Sequence, residues 1–325
     1  MTILVTGGAG FIGSAFVRNL LLGKLPIEFD KVLVLDKLTY SGTLANLEEV
    51  ASDSRLQFIQ GDICNRTLLD QILSGVRVIV NFAAESHVDR SIEDSRAFLD
   101  TNVSGVYELL DAIKYEKDLK FIQVSTDEVY GSISNGSWDE NCLLQPNSPY
   151  AASKAAAEMI VRGFGKTHGL DYRITRCSNN YGSHQHPEKL IPSFISKMLR
   201  NSNVPLYGNG LNYREWIHVD DHCLGISLVI SNGKFQEIYN IGGGAEFSNL
   251  EMTHKLLKYA GLGTDKIQFV PDRKGHDFRY AINDSKIRES LGYSPQIDIN
   301  HGLEETFYWY SKNKNWVKAQ EERVP

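Results

Sequence analysis

The sequence predicts an α/β fold, with a doubly wound parallel sheet and a smaller α/β lobe in the C-terminal part of the chain. Two observations predict it. Short, continuously apolar runs recur through the first half, which is typical of strands buried on both faces of a sheet. Stretches with helical periodicity separate these runs, and this alternation implies right-handed βαβ units. The 325 residues are enough for two domains.

The predicted elements follow in chain order. Strands of the main sheet are expected at Thr2–Thr6, Lys31–Asp36, Leu56–Gln60, Arg77–Asn81, Phe121–Ser125, Tyr172–Arg176 and Glu237–Ile241. Apart from the helix that follows the first strand, helices are predicted over Ser95–Tyr115, Pro149–His168 and Leu190–Arg200. We expect residues 1–180, with about 215–242 returning to the sheet, to form the first domain. Residues 181–214 and 243–325 are expected to form the second lobe, which binds the substrate.

Composition narrows the classes of function. The formal net charge is −6, from 34 basic and 40 acidic side chains, and no basic block stands out, so nucleic acid is an unexpected partner. The 4 cysteines are scattered without a Cys-x-x-Cys pair, which argues against a disulfide scaffold or a metal site. No apolar run reaches the ~18–20 residues of a membrane span, and no signal peptide opens the chain. We therefore expect a soluble cytoplasmic protein without a membrane partner.

A glycine cluster follows the first predicted strand. Gly8, Gly10 and Gly13 fit G-x-G-x-x-G, and Gly7, Gly10 and Gly13 fit G-x-x-G-x-x-G. Either pattern permits a tight turn and a close approach of the backbone to a pyrophosphate at a helix N-terminus. The second strand ends at Asp36, whose carboxylate suits the ribose hydroxyls of adenosine and would repel a 2′-phosphate. The segment predicts a Rossmann-type fold that binds NAD, and this context argues against a glycine turn without a ligand.

Tyr150 and Lys154 are spaced i, i+4, on one face of the predicted helix Pro149–His168. A nearby ammonium stabilises a phenolate, so the pair predicts a tyrosine that can act as a base. Tyr-x-x-x-Lys is common by chance, and alone it is more typical of a surface pair. Thr126 favours a site, because it lies just past the fifth predicted strand and ligands of open α/β sheets bind at the carboxyl ends of strands.

Asp127 and Glu128 follow Thr126 directly. Two adjacent carboxylates are either a solvated turn or an acid–base pair, and without context the turn is favoured. At the mouth of a nucleotide site the second interpretation is favoured, because carboxylates in a closed site resist double ionisation. One of them would then keep its proton and act as an acid while the other acts as a base.

Together these residues resemble the extended short-chain dehydrogenase/reductase family, and within it the dTDP-glucose 4,6-dehydratases. The resemblance covers nearly the whole chain. It is carried by the segments Thr6–Gly13, Ala83–Ser91, Thr126–Gly131, Ser148–Lys154, Arg176–Gly182, His186–Pro192, Arg214–Asp221 and Gly275–Tyr280. The Thr-Asp-Glu triplet is the specific part, since the related sugar-nucleotide epimerases lack the acidic pair. No catalytic position departs from the pattern.

The resemblance implies conversion of dTDP-glucose to dTDP-4-keto-6-deoxyglucose and water, with NAD as the cofactor. Tyr150 would take the proton of the 4-hydroxyl while NAD⁺ takes the C4 hydride, with Lys154 and Thr126 in support. Glu128 would remove the C5 proton and Asp127 would protonate the departing 6-hydroxyl. The hydride would then return to C6 and C5 would be reprotonated, so that NAD is regenerated in each turnover.

The resemblance also implies two sets of binding residues. NAD would be surrounded by Gly7, Gly10, Phe11, Ile12, Gly13, Asp36, Lys37, Leu38, Thr39, Asp62, Ile63, Phe82, Ala83, Ala84, Ser86, Thr101, Tyr150, Lys154 and Asn180. The sugar nucleotide would be held by Ser86, Thr126, Asp127, Glu128, Tyr150, Asn179, Lys189, Leu190, Pro205, Tyr207, Arg214, Asn249, His276, Arg279 and Tyr280. Arg214 and Arg279 suit a diphosphate, because guanidinium is bidentate and always charged, although a surface salt bridge is an equal alternative for either. Spacing alone leaves open whether Asp62 contacts adenine or only stabilises a turn.

Three alternatives stay open beside this interpretation. A UDP-glucose 4,6-dehydratase could carry the same triplet, because thymine and uracil differ by one methyl group, worth only ~1–3 kcal/mol in a pocket. An NDP-sugar 4-epimerase would need no acidic pair, and an NAD-binding sensor would need no catalytic residues. The resemblance further implies a homodimer built from the helices at Ser95–Tyr115 and Pro149–His168 as a four-helix bundle. The pathway that uses the product cannot be read from the sequence.

Overall fold

The structure is a computed structural model and describes residues 1–323. Its strands in chain order are β1 (Thr2–Thr6), β2 (Lys31–Asp36), β3 (Leu56–Gln60), β4 (Val76–Asn81), β5 (Lys120–Thr126), β6 (Asp171–Cys177), β7 (Asn179–Tyr181), β8 (Val204–Tyr207), β9 (Tyr213–His218), β10 (Glu237–Ile241), β11 (Ala245–Ser248) and β12 (Ile267–Val270). All seven predicted strands are present, with bounds that differ by at most one residue at either end.

The main sheet has seven parallel strands in the order β10-β6-β5-β4-β1-β2-β3. This order confirms the predicted doubly wound sheet. The direction of winding reverses between β1 and β4, and ligands of such sheets bind in the crevice at this switch point. The interior strands are apolar on both faces, as in β1, where Ile3, Leu4 and Val5 are fully buried.

Helices cover both faces of the sheet and build the second lobe. They are α1 (Phe11–Leu21), α2 (Arg66–Ile72), α3 (Val88–Glu93), α4 (Arg96–Leu99), α5 (Val106–Ile113), α6 (Pro149–His168), α7 (Leu190–Leu199), α8 (Val219–Asn232), α9 (Asn249–Ala260), α10 (Ser285–Leu291), α11 (Ile299–Lys312) and α12 (Lys314–Glu321). α1, α8 and α10 pack on one face of the main sheet, and α2, α5 and α6 pack on the other. Among residues 1–323, no helix combines the length and the apolar character needed to cross a membrane.

The helix predicted over Ser95–Tyr115 is present over residues 96–113, but it is not α-helical throughout. It consists of α4, a π-helical segment over Asp100–Gly105, and α5. Asn102 lies in the π-helical segment and is buried, and its side chain bonds both backbone groups of Glu85 as well as Ser153 Oγ. These bonds tie the segment to the loop after β4, and π-helical turns are frequent at functional sites. The predicted helix is therefore present, and its middle is π-helical, which the sequence pattern did not indicate.

The second lobe contains two small sheets. β9 lies between β11 and β7 in a three-stranded sheet, and β12 pairs with β8 in parallel. Helices α7, α9, α11 and α12 surround a separate apolar core that includes Phe194, Trp216, Leu256 and Tyr310. β10 lies in the main sheet beside β6, whereas β9 belongs to the lobe. The boundaries proposed for the two domains stay a prediction.

Candidate active site

The glycine turn between β1 and α1 forms part of the wall of a cleft at the switch point. Gly7 has a φ of +67°, a backbone conformation that favours glycine. A Cβ on Gly13 would lie 2.3 Å from the Gly7 carbonyl oxygen, so this position has no room for a side chain. Gly10 is the N-cap of α1, and no side chain caps the helix there. The free N–H groups and the close backbone fit a pyrophosphate.

Asp36, the last residue of β2, lines the same cleft. Its carboxylate accepts hydrogen bonds from Ala9 N at 2.9 Å and from Leu38 N at 2.8 Å. Burial raises the pKa of Asp36, while these two backbone donors oppose the shift. The carboxylate is therefore fixed beside the glycine turn, where it suits ribose hydroxyls and would repel a 2′-phosphate.

Asp62 fits both interpretations that its spacing leaves open. Its carboxylate accepts a hydrogen bond from Cys64 N at 2.9 Å, as a turn residue does. It also lines the cleft and forms an ion pair with Lys37 at 2.6 Å. The hydrogen bond and charge of Lys37, together with the bond from Cys64, hold the pKa of Asp62 below its ordinary value against the opposing effect of burial.

Thr126, Asp127 and Glu128 lie where β5 ends and a 3₁₀ helix, Asp127–Tyr130, begins. Thr126 Oγ1 caps this helix by accepting a hydrogen bond from Glu128 N at 3.2 Å, and it donates to Asp127 Oδ1 at 3.2 Å. Asp127 is only 3% exposed, and its Oδ2 has no hydrogen-bond partner within the described chain. All three residues line the cleft, so an unsatisfied carboxyl oxygen lies at its wall.

The environments of the two carboxylates differ. Burial raises the pKa of Asp127 well above its ordinary value, and the neighbouring charges of Glu128 and Glu215 add to this shift. Burial also raises the pKa of Glu128, but the cations of Arg273, Arg214 and Lys189 oppose it. Asp127 is therefore the residue suited to keep a proton and act as an acid, and Glu128 is the one suited to act as a base.

Tyr150 and Lys154 are both buried, one turn apart on α6. Lys154 Nζ donates to the Val124 carbonyl oxygen at 2.7 Å, and burial lowers the pKa of Lys154 to about 8. Burial and the charge of Glu128 raise the pKa of Tyr150 well above its ordinary value. The protein's own groups thus favour the neutral phenol, and Lys154 alone does not provide the phenolate that the sequence suggests. A positive charge brought next to Tyr150 would favour it.

Three cations from the second half of the chain face Glu128. Lys189 donates to the Ser86 carbonyl oxygen at 2.7 Å, and burial lowers the pKa of Lys189. Arg214 is 5% exposed, and its guanidinium lies 4.4 Å from the centre of the Tyr280 ring. Arg273 has a buried Nε without a hydrogen-bond partner in the described residues. Such a group suits a ligand with several acceptor oxygens.

The structure brings most of the predicted site residues together. Every predicted cofactor residue except Leu38 lines the cleft, and Leu38 contributes its backbone N–H to Asp36. The predicted substrate residues that also line it are Ser86, Thr126, Asp127, Glu128, Tyr150, Asn179 and Lys189. The predicted substrate residues that lie outside the cleft lining are Leu190, Pro205, Tyr207, Arg214, Asn249, His276, Arg279 and Tyr280.

Arg279 differs from the prediction most clearly. Its guanidinium pairs with Glu246 on β11, with Nη2 2.8 Å from Oε2, and Nη1 donates to the Gly136 carbonyl oxygen at 2.8 Å. The structure thus places Arg279 in a salt bridge, which was the alternative for this residue. Arg273 was missed, although it precedes the segment Gly275–Tyr280 by only two positions. Its position next to that segment was the signal in the sequence that could have identified Arg273 as a candidate.

Other residues of the cleft wall were also missed. They are Ser41, Gly42, Glu85, Cys177, Ser178, Gln185, His186 and Glu188, among others. Cys177 is buried, and burial raises its pKa to about 12, so its thiol is not a nucleophile at neutral pH. Gln185, His186 and Glu188 come from the loop before α7, and no local spacing in the sequence marks them.

A dinucleotide cradle at the switch point of a doubly wound sheet, with a buried Tyr–Lys pair beside it, defines an enzyme of the short-chain dehydrogenase/reductase class. The family model described as GDP-mannose 4,6 dehydratase matches residues 4–306. The chain belongs to this family.

Individual relatives narrow the comparison. A dTDP-glucose 4,6-dehydratase from Streptomyces niveus is 50% identical over 97% of this chain and 94% of its own. The crystal structure of DesIV, a dTDP-glucose 4,6-dehydratase from Streptomyces venezuelae with NAD bound, has a TM-score of 0.97 and 53% identity, and covers 98% of this chain and 100% of that one. A UDP-glucuronic acid 4-epimerase from Bacillus cereus, solved with UDP-glucuronic acid and NAD, has a TM-score of 0.89 and 30% identity. The match covers 96% of this chain and 99% of that one.

Proposed function

We propose that this chain is an NAD-dependent dTDP-glucose 4,6-dehydratase, which converts dTDP-glucose to dTDP-4-keto-6-deoxyglucose and water. One observation carries the proposal: the buried Asp127 and the half-buried Glu128 line the same cleft as Tyr150. A 4-epimerase needs no such acid–base pair. The higher identity to dTDP-glucose 4,6-dehydratases than to the epimerase, 53% against 30%, supports the same choice.

The cofactor cleft fits NAD through the backbone at Gly7, Gly10 and Gly13 and through the carboxylate of Asp36. The three glycines and the start of α1 would hold the pyrophosphate, and Asp36 would hold the adenosine ribose. Lys154 would hold the nicotinamide ribose. When bound, NAD⁺ supplies a reversible acceptor for the C4 hydride, which is later delivered to C6 while C5 regains a proton.

Tyr150 acts first in the proposed mechanism, as the base that takes the proton of the sugar 4-hydroxyl. Lys154 and the positive charge of the oxidised cofactor would favour its phenolate, against the effect of burial and Glu128. Thr126, which lines the same cleft as Tyr150, would hold the reacting oxygen. The resulting 4-ketone acidifies the proton on C5, and this prepares the elimination.

Glu128 and Asp127 carry out the elimination of water. Glu128 would remove the C5 proton, because Arg273, Arg214 and Lys189 favour its charged form. Asp127, whose pKa burial raises well above its ordinary value, would donate its proton to the departing 6-hydroxyl. Each general acid–base contribution is worth about 10²–10⁴-fold. The two carboxylates thus have separate tasks that follow from their different surroundings.

The diphosphate of the substrate is assigned to Arg214, Arg273 and Lys189. Arg273 replaces Arg279 in this assignment, because Arg279 is hydrogen-bonded to Glu246 at 2.8 Å, whereas Arg273 forms only a 3.7 Å ion pair with Asp89 and has an unpartnered Nε in the described residues. The three cations face Glu128, so they would hold the substrate and support the base at once. Pro205, Tyr207, Asn249 and His276 stay proposed contacts of the remaining parts of the sugar nucleotide.

Parallel incubations with dTDP-glucose and UDP-glucose test the proposed function. We expect dTDP-glucose to yield a 4-keto-6-deoxy product, detected by its ultraviolet absorbance in alkali, and to react faster than UDP-glucose. Formation of dTDP-galactose alone would indicate an epimerase. Faster reaction of UDP-glucose would assign a uracil nucleotide, and NAD binding without turnover would indicate a sensor.

We also propose that the enzyme is a cytoplasmic homodimer. Leu99, Tyr107 and Met159, on or beside the helices predicted to form the dimer interface, each expose over two fifths of their surface. Apolar side chains of this kind support a four-helix bundle between two copies. The free cysteines in the described chain are compatible with a reducing compartment. Light scattering at micromolar concentration tests the dimer, and a monomeric mass would contradict it.

A further inference from the structure

Three side chains meet between the walls of the cofactor cleft, outside the residues assigned to catalysis. Tyr40 lies in the loop after β2, which also contributes Thr39, Ser41 and Gly42 to the cleft wall. Arg90 lies on α3, just after the wall segment that ends at Ser86. Glu188 comes from the loop before α7 in the second lobe and lines the cleft itself. We call Tyr40, Arg90 and Glu188 the clasp.

The contacts within the clasp are specific. Tyr40 Oη donates to Glu188 Oε1 at 3.0 Å, and Arg90 Nε donates to Glu188 Oε2 at 3.3 Å. The Arg90 guanidinium also lies 4.2 Å from the centre of the Tyr40 ring. The Glu188 side chain is 9% exposed, so its carboxylate is largely removed from water. A carboxylate in this setting makes stronger hydrogen bonds than an exposed one.

Two histidines complete the surroundings of Glu188. His87 Nε2 lies 3.9 Å from Oε2, and His186 Nδ1 lies 3.7 Å from Oε1. Burial lowers the pKa of both histidines, so neither is a cation at neutral pH. Arg90 is therefore the positive partner of Glu188 among these groups. Loss of one clasp contact cannot be replaced by a charged histidine.

We propose that the clasp keeps the dinucleotide in its cleft, so that its opening controls how fast NAD leaves. The inference rests on the NAD site of the proposed function. Tyr40 and Arg90 belong to the part of the chain that forms the cofactor cradle, and Glu188 belongs to the opposite lobe, so their bonds join the two walls. A reaction that regenerates its cofactor in each turnover has no need to open this connection.

Release of labelled NAD tests the clasp. Wild-type protein and the variants Tyr40→Phe and Glu188→Gln are loaded with radiolabelled NAD and mixed with excess unlabelled NAD, and the bound label is followed by gel filtration. We expect each variant to release NAD about tenfold faster or more, as the loss of a hydrogen bond to a charged group implies. The double variant should release NAD more slowly than the product of the two single effects predicts, because both changes weaken the contact between Tyr40 and Glu188.

Tyr308→Phe is the matched control, since Tyr308 is 62% exposed on α11 and loses the same hydroxyl. It should release NAD at the wild-type rate. Circular dichroism checks that each variant is folded, and Tyr40→Phe tests the clasp even if Glu188→Gln does not fold. Equal release from wild type and Tyr40→Phe would overturn the clasp alone. Failure of the wild type to bind NAD would overturn the proposed cofactor as well.

Discussion

The two ends of the cleft are built in different ways. The cofactor end consists of the turn Gly7–Gly13 and Asp36, which are close in sequence and act through backbone shape and one carboxylate. The reaction end consists of Thr126–Glu128, at the end of β5, and of Tyr150 and Lys154 on α6, a helix that covers the main sheet. Side chains from the second lobe face this second end.

This difference teaches where each kind of defect should appear. At the cofactor end the backbone has no room to change, so a substitution there should cost stability and cofactor binding. At the reaction end the balance of charges around Glu128 and Asp127 matters most, because Arg273, Arg214 and Lys189 act mainly on one of the two. Substitutions there should cost rate or substrate affinity while the fold is retained.

The largest effect is expected from Asp127→Asn combined with Glu128→Gln. Without an acid and a base, elimination of water should slow by at least about 10²–10⁴-fold, since each group contributes by that order. Oxidation at C4 depends on Tyr150 and should continue. Mixing the variant with dTDP-glucose should therefore produce the absorbance of enzyme-bound NADH without 6-deoxy product.

Glu304→Gln with Glu305→Gln provides the control for this experiment. These two residues are adjacent and exposed on α11, so the change in charge is similar but lies outside the cleft. Turnover of the control should equal that of the wild type. Normal turnover of the Asp127–Glu128 variant would contradict the roles assigned to these two residues. It would also contradict the view that charged side chains determine the rate at the reaction end.

A smaller effect is expected from Arg273→Met. Loss of the guanidinium that we propose to hold the diphosphate should raise KM for dTDP-glucose by about tenfold or more. Because the charge of Arg273 lowers the pKa of Glu128, loss of Arg273 should raise that pKa. Glu128 would then become protonated, and stop acting as a base, at a higher pH than in the wild type. The acidic limb of the plot of kcat against pH should therefore move to higher pH.

Arg279→Met serves as the comparison for this prediction. Arg279 is paired with Glu246, so its loss should leave the acidic limb unchanged and raise KM less than Arg273→Met does. The opposite ranking of the two variants would restore the assignment of Arg279 to the diphosphate.

The comparison of the two ends also explains what the sequence could predict. The cofactor end follows from local spacing, although two glycine patterns fit equally well. The structure separates them: a Cβ on Gly8 would lie 2.7 Å from Val34 Cγ1, so Gly8 packs against β2, while Gly7 lines the cleft. Thr126, Asp127 and Tyr150 could be predicted because they follow strand and helix signals directly.

The lobe side of the reaction end could not be predicted in the same way. The charge of Arg273 acts on Glu128, whereas Arg279 pairs with Glu246, and this difference depends on the direction of side chains in a loop, which neither periodicity nor charge specifies. The π-helical segment at Thr101 depends on the buried bonds of Asn102 to a distant loop. The clasp likewise joins Tyr40 to Glu188 across 148 positions of the chain.

The last prediction tests whether backbone shape determines stability and NAD binding at the cofactor end. Gly13→Ala places a Cβ where the Gly7 carbonyl oxygen lies 2.3 Å away, and a carbonyl of the turn cannot move without distorting the cradle. Overpacking of this kind should lower the free energy of unfolding by about 1–3 kcal/mol, measured by urea denaturation, and should weaken NAD binding.

Gly163→Ala makes the same chemical change on α6, where a Cβ would meet nothing within 4 Å. It should raise the free energy of unfolding by up to about 1 kcal/mol, because alanine has the higher helix propensity. The two substitutions should thus act in opposite directions, since only one of them lies in the cradle. If Gly13→Ala kept wild-type stability and NAD affinity, the cofactor end would not depend on backbone shape, and the two ends would differ only in their charges.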